Sequence, residues 1–164
     1  MLKAQAFTGG NLFIDGIGLM GEVVEVELPK IEKETIETSS GIGKFEAVLP
    51  VVKPLNTKIT VNNLNELYFK MLDSSRTQKL YLKANATNSN GDDEQVIATF
   101  EGKIKSLDGA KFEFNKEANL SFEVSLTFYK LEVAGARVIL YDALNHIFEN
   151  DGVDLFGTIR KNIL

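Results

Sequence analysis

His146 is the only histidine of the chain and therefore its only imidazole. It lies beside Asn145 and four residues after Asp142, a spacing at which a carboxylate could orient a general base. No nucleophile and no second histidine lie near it in the sequence, and a catalytic site needs such partners. We therefore interpret His146 as a half-exposed surface or interface residue.

Three closely spaced glycines suggest a second kind of chemistry, the binding of a dinucleotide. Gly16, Gly18 and Gly21 fit the pattern G-x-G-x-x-G, which works only when a helix begins directly after the glycines and holds the pyrophosphate at its N-terminus. Residues 22–28, however, are rich in valine with charged residues interspersed, which predicts a strand. The pattern favours a tight turn between two strands.

Two short acidic groups offer oxygen ligands of the kind that calcium prefers. One consists of Asp92, Asp93 and Glu94, and the other of Asp151 and Asp154. Neither has the ligand spacing of an EF-hand loop, so solvated turn residues are the favoured interpretation.

The chain contains no cysteine, which excludes disulfides, thiolate zinc sites and a cysteine nucleophile. Together with the isolated His146, this predicts no catalytic residue, no metal site and no cofactor. We expect a protein that is not an enzyme.

Length and composition predict a single folded domain over residues 1–164. A chain of 164 residues with 44% hydrophobic and 25% charged residues can bury one core and is too short for two ordinary domains. The N-terminus has no apolar segment of signal-peptide length, and no segment approaches the about 20 apolar residues of a membrane span. We expect synthesis in the cytoplasm and no membrane partner.

The formal net charge of −5 disfavours a surface that grips phosphates, because affinity for nucleic acid of any sequence comes from clustered Lys and Arg. It is compatible with nucleic acid that passes by without binding. Residues 22–37 hold six glutamates against two lysines. These glutamates could form a solvated strand face or line a pore, and the sequence does not separate the two.

Strand patterns dominate the chain. Residues 120–128 alternate apolar and polar side chains, and the phase change that follows predicts a bulge near Tyr129 and Lys130. Residues 79–86 alternate similarly and are joined to a strand over 96–105 by the polar turn 88–93. A further turn at Asp108-Gly109 predicts a hairpin partner over 111–114. Shorter strands are predicted over 11–17 and 22–28.

Residues 31–52 predict a long hairpin that projects from the body. The stretch 31–38 is too poor in apolar residues to cross a core, yet it leads through a glycine-containing turn into an apolar strand over 44–52.

Two segments have helical spacing. Leu64, Leu67, Tyr68, Met71 and Leu72 recur every three or four residues, with Asn63 as the expected N-cap. A shorter helical turn is predicted over 143–148.

These elements predict a mainly β protein, a β-sandwich or barrel with one packed α-helix and a long projecting β-hairpin. The C-terminal segment 152–164 carries more apolar area than a free tail should expose, so we expect it to dock on its own body or on a neighbour. The residues expected to dock are Val153, Leu155, Phe156, Ile159, Ile163 and Leu164.

Over nearly its whole length the chain resembles the major tail tube proteins of contractile-tailed bacteriophages. Residues 11–16, Gly21 and residues 28–31 resemble the family's opening strand, turn and entry into the hairpin. Residues 126–133 with Gly135 resemble its central strand. The most specific match is the end of the chain, where residues 145–148, 150–155 and 160–164 are similar to the family's characteristic close.

The resemblance implies a non-enzymatic tail-tube fold that forms six-membered rings, stacked into a hollow tube for DNA inside a contractile sheath. It implies as partners copies of the chain itself, the tail sheath, the tape measure and baseplate or terminator proteins, with DNA in transit, in the virion tail after assembly in the host cytoplasm. Tubes of phage-like bacteriocins and of type VI secretion are similar in fold and remain the alternative.

Within that picture, the tip of the hairpin is the predicted contact between stacked rings, because a heterologous contact along the axis is needed for stacking. The tip residues are Thr38, Ser39, Ser40, Gly41, Ile42 and Gly43.

Overall fold

A computed structural model describes residues 3–73 and 75–164. Over these residues the chain forms twelve β-strands and two short α-helices. The strands are β1 (Gln5–Ile14), β2 (Ile17–Gly18), β3 (Val23–Glu27), β4 (Lys33–Ser40), β5 (Gly43–Val52), β6 (Leu55–Val61), β7 (Gln78–Asn88), β8 (Asp93–Asp108), β9 (Leu120–Val133), β10 (Ala136–Asp142), β11 (Ile147–Asn150) and β12 (Val153–Asp154). The helices are α1 (Glu66–Lys70) and α2 (Gly157–Ile163).

Ten of these strands form one antiparallel sheet, and β4 and β5 form a separate sheet of two. The main sheet runs in the order β12-β11-β10-β9-β8-β7-β1-β2, with β3 and β6 joined to it through β9. The architecture confirms the predicted mainly β fold with a packed helix and a long hairpin. Helix α2 is an addition that the sequence patterns did not indicate.

The main sheet divides at the middle of β9. One edge of β9 pairs with β8, while the other edge pairs first with β6 over residues 120–126 and then with β10 over residues 128–133. Thr127 lies at the division, and its carbonyl accepts the backbone N–H of Ala143 at 2.9 Å. The two branches diverge from this point and enclose the core.

The core forms between apolar side chains of β1, β6, β7, β8, β9 and α1. Leu120, Phe122, Val124 and Leu126 are buried on one face of β9, as their alternation predicts. Beyond Thr127 the buried face continues with Tyr129, whose ring stacks on that of Phe100 with centroids 5.5 Å apart. Strands β1 and β6 contribute further buried side chains to the core, namely Leu12, Ile14, Leu55, Ile59 and Val61.

The phase change in β9 occurs at Thr127, so its predicted place near Tyr129 and Lys130 is wrong. The cause is a bulge of β9 against β8, where the register shifts between Glu101 and Gly102. Glu101 pairs with Phe128 while Gly102 pairs with Leu126, which leaves Thr127 as the extra residue of a bulge.

Helix α1 covers one side of the core, as expected, although it is shorter than the spacing predicts. Its N-cap is Asn65 and not Asn63, because the Asn65 side-chain oxygen accepts the backbone N–H of Leu67 at 3.0 Å. Tyr68 is buried, its hydroxyl donates to Glu22 Oε2 at 3.0 Å, and burial raises the pKa of this phenol. The helix is therefore fixed by one buried aromatic side chain and one charge-assisted hydrogen bond.

The predicted hairpin between β7 and β8 is confirmed. The turn between the two strands is organised by Asn88, whose side-chain oxygen accepts the backbone N–H groups of Asn90 and Asp92 at 2.9 and 3.1 Å. Asparagine favours such turns because its side chain can replace a backbone acceptor. Strand β1 begins at Gln5, earlier than predicted.

Two expected elements are wrong. Residues 111–114 form no strand, because β8 pairs instead with β9, and the rings of Phe112 and Phe114 lie exposed in the connection between them. Residues 143–148 form no helical turn: the Asp142 carboxylate accepts the N–H groups of Leu144 and Asn145, which closes a turn, and Ile147 already begins β11. Local hydrogen bonding by an aspartate competes with helix formation in this way.

Helices long and apolar enough to span a membrane do not occur among the described residues.

We predict that Gly102→Ala destabilises the fold. A Cβ at this buried position would overlap the backbone carbonyl of Ser125, and a backbone carbonyl in a paired strand cannot move aside cheaply. Overpacking of this kind costs about 1 to 3 kcal/mol of unfolding free energy, measurable by urea denaturation. Gly109→Ala is the matched control, because a Cβ there meets nothing within 4 Å. Equal stabilities of the two variants would contradict the close approach of β8 and β9.

Candidate assembly surfaces

His146 and the three glycines lie in different turns and strands of the fold. His146 lies in the turn before β11, with a positive φ of 55°, and its carbonyl oxygen accepts a hydrogen bond from Arg160 Nη1 at 2.8 Å. Gly16 lies in the turn between β1 and β2, and the chain continues from Gly21 directly into strand β3. A helix N-terminus does not follow these glycines: Gly16 and Gly21 lie in turns, and Gly18 lies in β2.

The acidic groups bind neighbouring side chains. Asp93 accepts hydrogen bonds from Thr87 and Asn85, which hold the pKa of its carboxyl below the usual range, and Asp154 binds Arg160. Among residues 3–73 and 75–164, no three carboxylates or imidazoles are placed to hold a metal ion.

The β4–β5 hairpin pairs with no other strand of the described chain. Its base is closed by the backbone N–H of Lys53, which donates to the carbonyl of Glu32 at 2.8 Å. The side chains of the same two residues also form an ion pair at 3.3 Å. Lys53, with Lys30, holds the pKa of Glu32 below its usual range. The hairpin is thus tied to the body at its base alone.

The two faces of the hairpin differ in chemistry. In an antiparallel pair, directly opposed residues share a face. Ile36 opposite Ala47 and Thr38 opposite Phe45 make one face partly apolar, and the Ile36 and Phe45 side chains are exposed. The other face carries Glu37 directly opposite Glu46, with the Lys44 ammonium 3.3 Å from Glu37.

The predicted tip residues all lie at or beside the hairpin turn, and this region projects into solvent. Ser40 donates its hydroxyl proton to the Gly43 carbonyl at 3.0 Å, and Gly41 and Ile42 form the turn itself. The Ile42 side chain is fully exposed. An isoleucine in this position gains nothing in the isolated chain, which makes it the strongest contact candidate in the hairpin.

The C-terminal segment is held to the body by one arginine that sequence patterns did not single out. Arg160 Nη2 lies 2.6 Å from Asp154 Oδ2, and Arg160 Nη1 donates to the carbonyl of His146. The hydrogen bond from Arg160 and those from the backbone of Phe156 and Gly157 lower the pKa of Asp154. This contact fixes where α2 lies relative to β11 and β12.

The expected docking residues divide into two groups. Phe156 and Ile159 are half-buried, and Phe156 lines a cleft of about 170 Å³ with Val52 and Phe148. The other four side chains remain exposed, and they are Val153, Leu155, Ile163 and Leu164. Docking of this segment on its own body is therefore only partial.

Five of the six glutamates of residues 22–37 differ in their surroundings. Glu22 accepts the Tyr68 hydroxyl proton, Glu32 binds Lys53, and Glu37 binds Lys44. Glu25 and Glu27 lie exposed on β3 and take part in no ion pair with the described residues.

We predict that Arg160→Ala releases α2 from the body, because it removes both the ion pair to Asp154 and the hydrogen bond to His146. Amide hydrogen exchange of residues 157–163 should accelerate while that of β8 and β9 stays unchanged. Asn162→Ala is the control, since Asn162 is an exposed residue of the same helix. Folding lowers the pKa of the Asp154 carboxyl, so its contact with Arg160 stabilises the folded state at any pH above the unfolded pKa. This stabilisation is lost as the pH falls through the folded pKa. Acid should therefore mimic Arg160→Ala. Unchanged hydrogen exchange of residues 157–163 in both experiments would contradict the role of the Arg160–Asp154 ion pair in holding α2.

Comparison with known proteins gives matches over almost the whole sequence. The family model described as "Phage tail tube protein FII" matches residues 5–163. The major tail tube protein of Serratia phage KSP20 is 26% identical over 158 residues, which cover 94% of this chain and 90% of that protein.

Solved structures are similar in fold at low sequence identity. The sheath/tube terminator of the extracellular contractile injection system PVC gives a TM-score of 0.57 at 15% identity, covering 76% of this chain and 94% of that one. The PVC sheath–tube complex gives 0.54 at 15% identity, covering 76% and 88%. The tube-terminating cap of the anti-feeding prophage gives 0.55 at 14% identity, again covering 76% and 88%. These likenesses confirm the tail-tube fold, and the family match over residues 5–163 establishes that the chain belongs to the phage tail tube protein FII family, a family of structural tail proteins.

Proposed function

We propose that this chain, as a single domain over residues 1–164, forms six-membered rings that stack into the hollow tube of a contractile phage tail. The observation that carries the proposal is the β4–β5 hairpin, which pairs with no other strand of the described chain and exposes Ile42 at its tip. In the isolated subunit Ile42 stays in water, whereas contact with a neighbouring copy would bury it.

Ring formation is supported by the open edges of the main sheet. Strand β3 pairs only with β6, and β12 ends the sheet at the other side. Open edges invite uncontrolled pairing unless a neighbour covers them, and a head-to-tail contact that closes on itself covers one with the next. Closure fixes the number of copies in the ring.

Stacking needs a second, open contact along the axis, and the hairpin is its donor. The tip residues from Thr38 to Gly43 lie farthest from the closed base at Glu32 and Lys53. They reach the next ring, where Ile42 is removed from water. The exposed residues of the C-terminal segment, among them Ile163 and Leu164, make a further contact between copies.

The other partners are the tail sheath outside the tube, a tape measure protein within it, and baseplate and terminator proteins at its ends. The similar solved structures support the first and last, since they comprise a sheath–tube complex, a sheath/tube terminator and a tube-terminating cap. The subunit assembles in the host cytoplasm and ends in the virion tail.

DNA passes through the tube without specific binding. The chain has a net charge of −5, and many of its cations are already paired with carboxylates, among them Lys79 with Glu101, Lys130 with Glu132 and Arg137 with Glu149. Paired cations release few counterions from DNA, so sequence-independent affinity is weak.

Assembled tubes should retain no DNA in a filter assay even at low salt. Strong retention that salt abolishes would contradict the passage of DNA without binding.

A tube of a phage-like bacteriocin or of a type VI-like secretion system is the alternative. The contractile injection systems are similar at 14 to 15% identity, which concerns the fold, while the relative at 26% identity is a phage tail protein. The phage assignment is therefore preferred.

We predict that deletion of residues 38–43 leaves single rings and abolishes long tubes, because it removes the donor of the axial contact. Negative-stain electron microscopy of the purified protein distinguishes rings from tubes. A milder variant, Ile42→Asp, should shorten tubes without changing the free energy of unfolding, since this side chain touches nothing in the isolated subunit.

The control for this experiment is Asn90→Asp, a charge introduced at another exposed hairpin turn, between β7 and β8. It should assemble like the unmodified protein. Tubes of normal length from both hairpin variants would overturn the axial role of the tip, and loss of the rings themselves would assign the hairpin to ring closure.

A further inference from the structure

An apolar groove of about 470 Å³ lies between β1 and β3. Both strands have an unpaired edge beside it, because β7 pairs with one edge of β1 while β2 covers the other edge only at Phe13 and Ile14, and β3 pairs with β6 alone among the described strands. Its lining includes Phe7, Gly10, Val24, Glu25, Leu28 and Val96.

The groove is unfilled by the chain's own side chains. Phe7 is 69% exposed and Val24 is 55% exposed. Both side chains line the groove, so a molecule bound in it would bury them. All of the lining residues precede or include Val96, so the C-terminal segment does not cover the groove of its own subunit. Contiguous exposed apolar surface of this kind marks a binding site for another molecule.

Helix α2 has the complementary chemistry. Its C-terminal end exposes Ile163 (64%) and the C-cap residue Leu164 (90%), about one turn after Arg160, which anchors the helix to Asp154. The helix contains no acidic residue, and the Lys161 ammonium makes no ion pair with the described residues. The result is a short, anchored, basic segment with two apolar side chains that face solvent.

Charge complements the apolar match. Glu25 lines the groove and forms no ion pair within the described chain, and the neighbouring strand residue Glu27 is likewise unpaired. Opposite charges at the rim of an apolar contact favour one orientation of docking over others. The basic α2 therefore fits this acidic rim, whereas the acidic hairpin face with Glu37 and Glu46 does not.

The positions of the two surfaces decide between docking within one chain and docking between copies. Strand β12, which leads into α2, ends the main sheet on one side, and five strands separate it from β1. At the usual strand spacing, this is about 29 Å measured along the sheet. A segment at one end of a sheet and its receptor at the other make a head-to-tail contact, which closes into a ring when the rotation between copies is right.

We infer that α2 of one copy docks in the β1–β3 groove of the next, with Ile163 and Leu164 against Phe7 and Val24 and with Lys161 near Glu25. This inference rests on the proposed function, because it assigns the lateral contact of the ring. It is separate from the axial contact of the hairpin.

Cross-linking tests this contact cleanly because the chain has no cysteine of its own. Leu164→Cys and Val24→Cys are made in separate copies, mixed, assembled and treated with a short bifunctional maleimide. We expect a cross-linked dimer in the mixture, and a ladder up to the full ring when one chain carries both changes. Leu144→Cys paired with Val24→Cys is the control, since Leu144 is equally accessible but lies outside α2.

Three results would overturn the inference. Rings seen by electron microscopy without cross-linking above the Leu144→Cys control would place the lateral contact elsewhere. A cross-link within one chain would show that α2 reaches its own groove. Absence of any ring from the unmodified protein would refute the proposed function, and this contact with it.

A charge exchange provides an independent test. Lys161→Glu and Glu25→Lys should each raise the protein concentration needed for half-assembly several-fold, and the two together should restore it. Lys105→Glu, which changes an exposed lysine outside both surfaces, is the control. Adding Glu25→Lys to this variant should not lower the protein concentration needed for half-assembly. Failure of the double variant to recover would contradict the pairing of Lys161 with Glu25.

Discussion

The fold depends on the way in which β9 is shared among three strands. Because β6 and β10 occupy successive halves of one edge of β9, the sheet must divide at Thr127, and the two branches must leave at different angles. Gly102 permits the close approach of β8 that this geometry requires. The stacked rings of Phe100 and Tyr129 then fill the space immediately beyond the division. Packing, strand order and curvature all follow from this one branching strand.

The assembly surfaces are attached to different branches of that strand. The hairpin follows β3, which reaches the body through β6, whereas α2 follows β12, which reaches it through β10 and β11. Val52 at the hairpin base and Phe156 at the start of the C-terminal segment line the same cleft. The hairpin, which we propose for the axial contact, and the C-terminal segment, which we propose for the lateral contact, therefore adjoin at this cleft. Their free ends are assigned to different neighbouring copies.

Sequence patterns predicted the elements whose stability is local. The period-two alternation of Leu120, Phe122, Val124 and Leu126 identified the central strand, and the polar turn at residues 88–93 identified its neighbouring hairpin. The prediction of a strand over 111–114 was wrong because the true partner of β8 lies farther along the chain, and alternation does not specify a partner. The helical turn over 143–148 was wrong because one aspartate, Asp142, offered the backbone a competing set of bonds.

The candidate site was predictable only in part, for a related reason. The projecting hairpin could be recognised because its strands are too polar for a core, and the apolar C-terminal residues could be recognised by composition. Arg160 could not, since its partners Asp154 and the His146 carbonyl are brought together by tertiary structure. The β1–β3 groove was likewise hidden, because β7 and β8 contribute to its lining as well as β1 and β3, and none of them carries a distinctive motif.

In the assembly that we propose, a hairpin that is tied down only at its base changes how rings add to a growing tube. Two-stranded hairpins are marginally ordered in water when nothing covers them, so part of each contact's gross energy goes into ordering Lys33–Val52, and a single engaged hairpin binds weakly. A ring presents several identical hairpins at once, and their joint engagement raises the effective affinity far above that of one. A misaligned ring, which engages only one or two, dissociates before it is trapped. In the proposed assembly, weak individual contacts thus allow misplaced rings to dissociate during growth, and the number of contacts makes the finished tube stable.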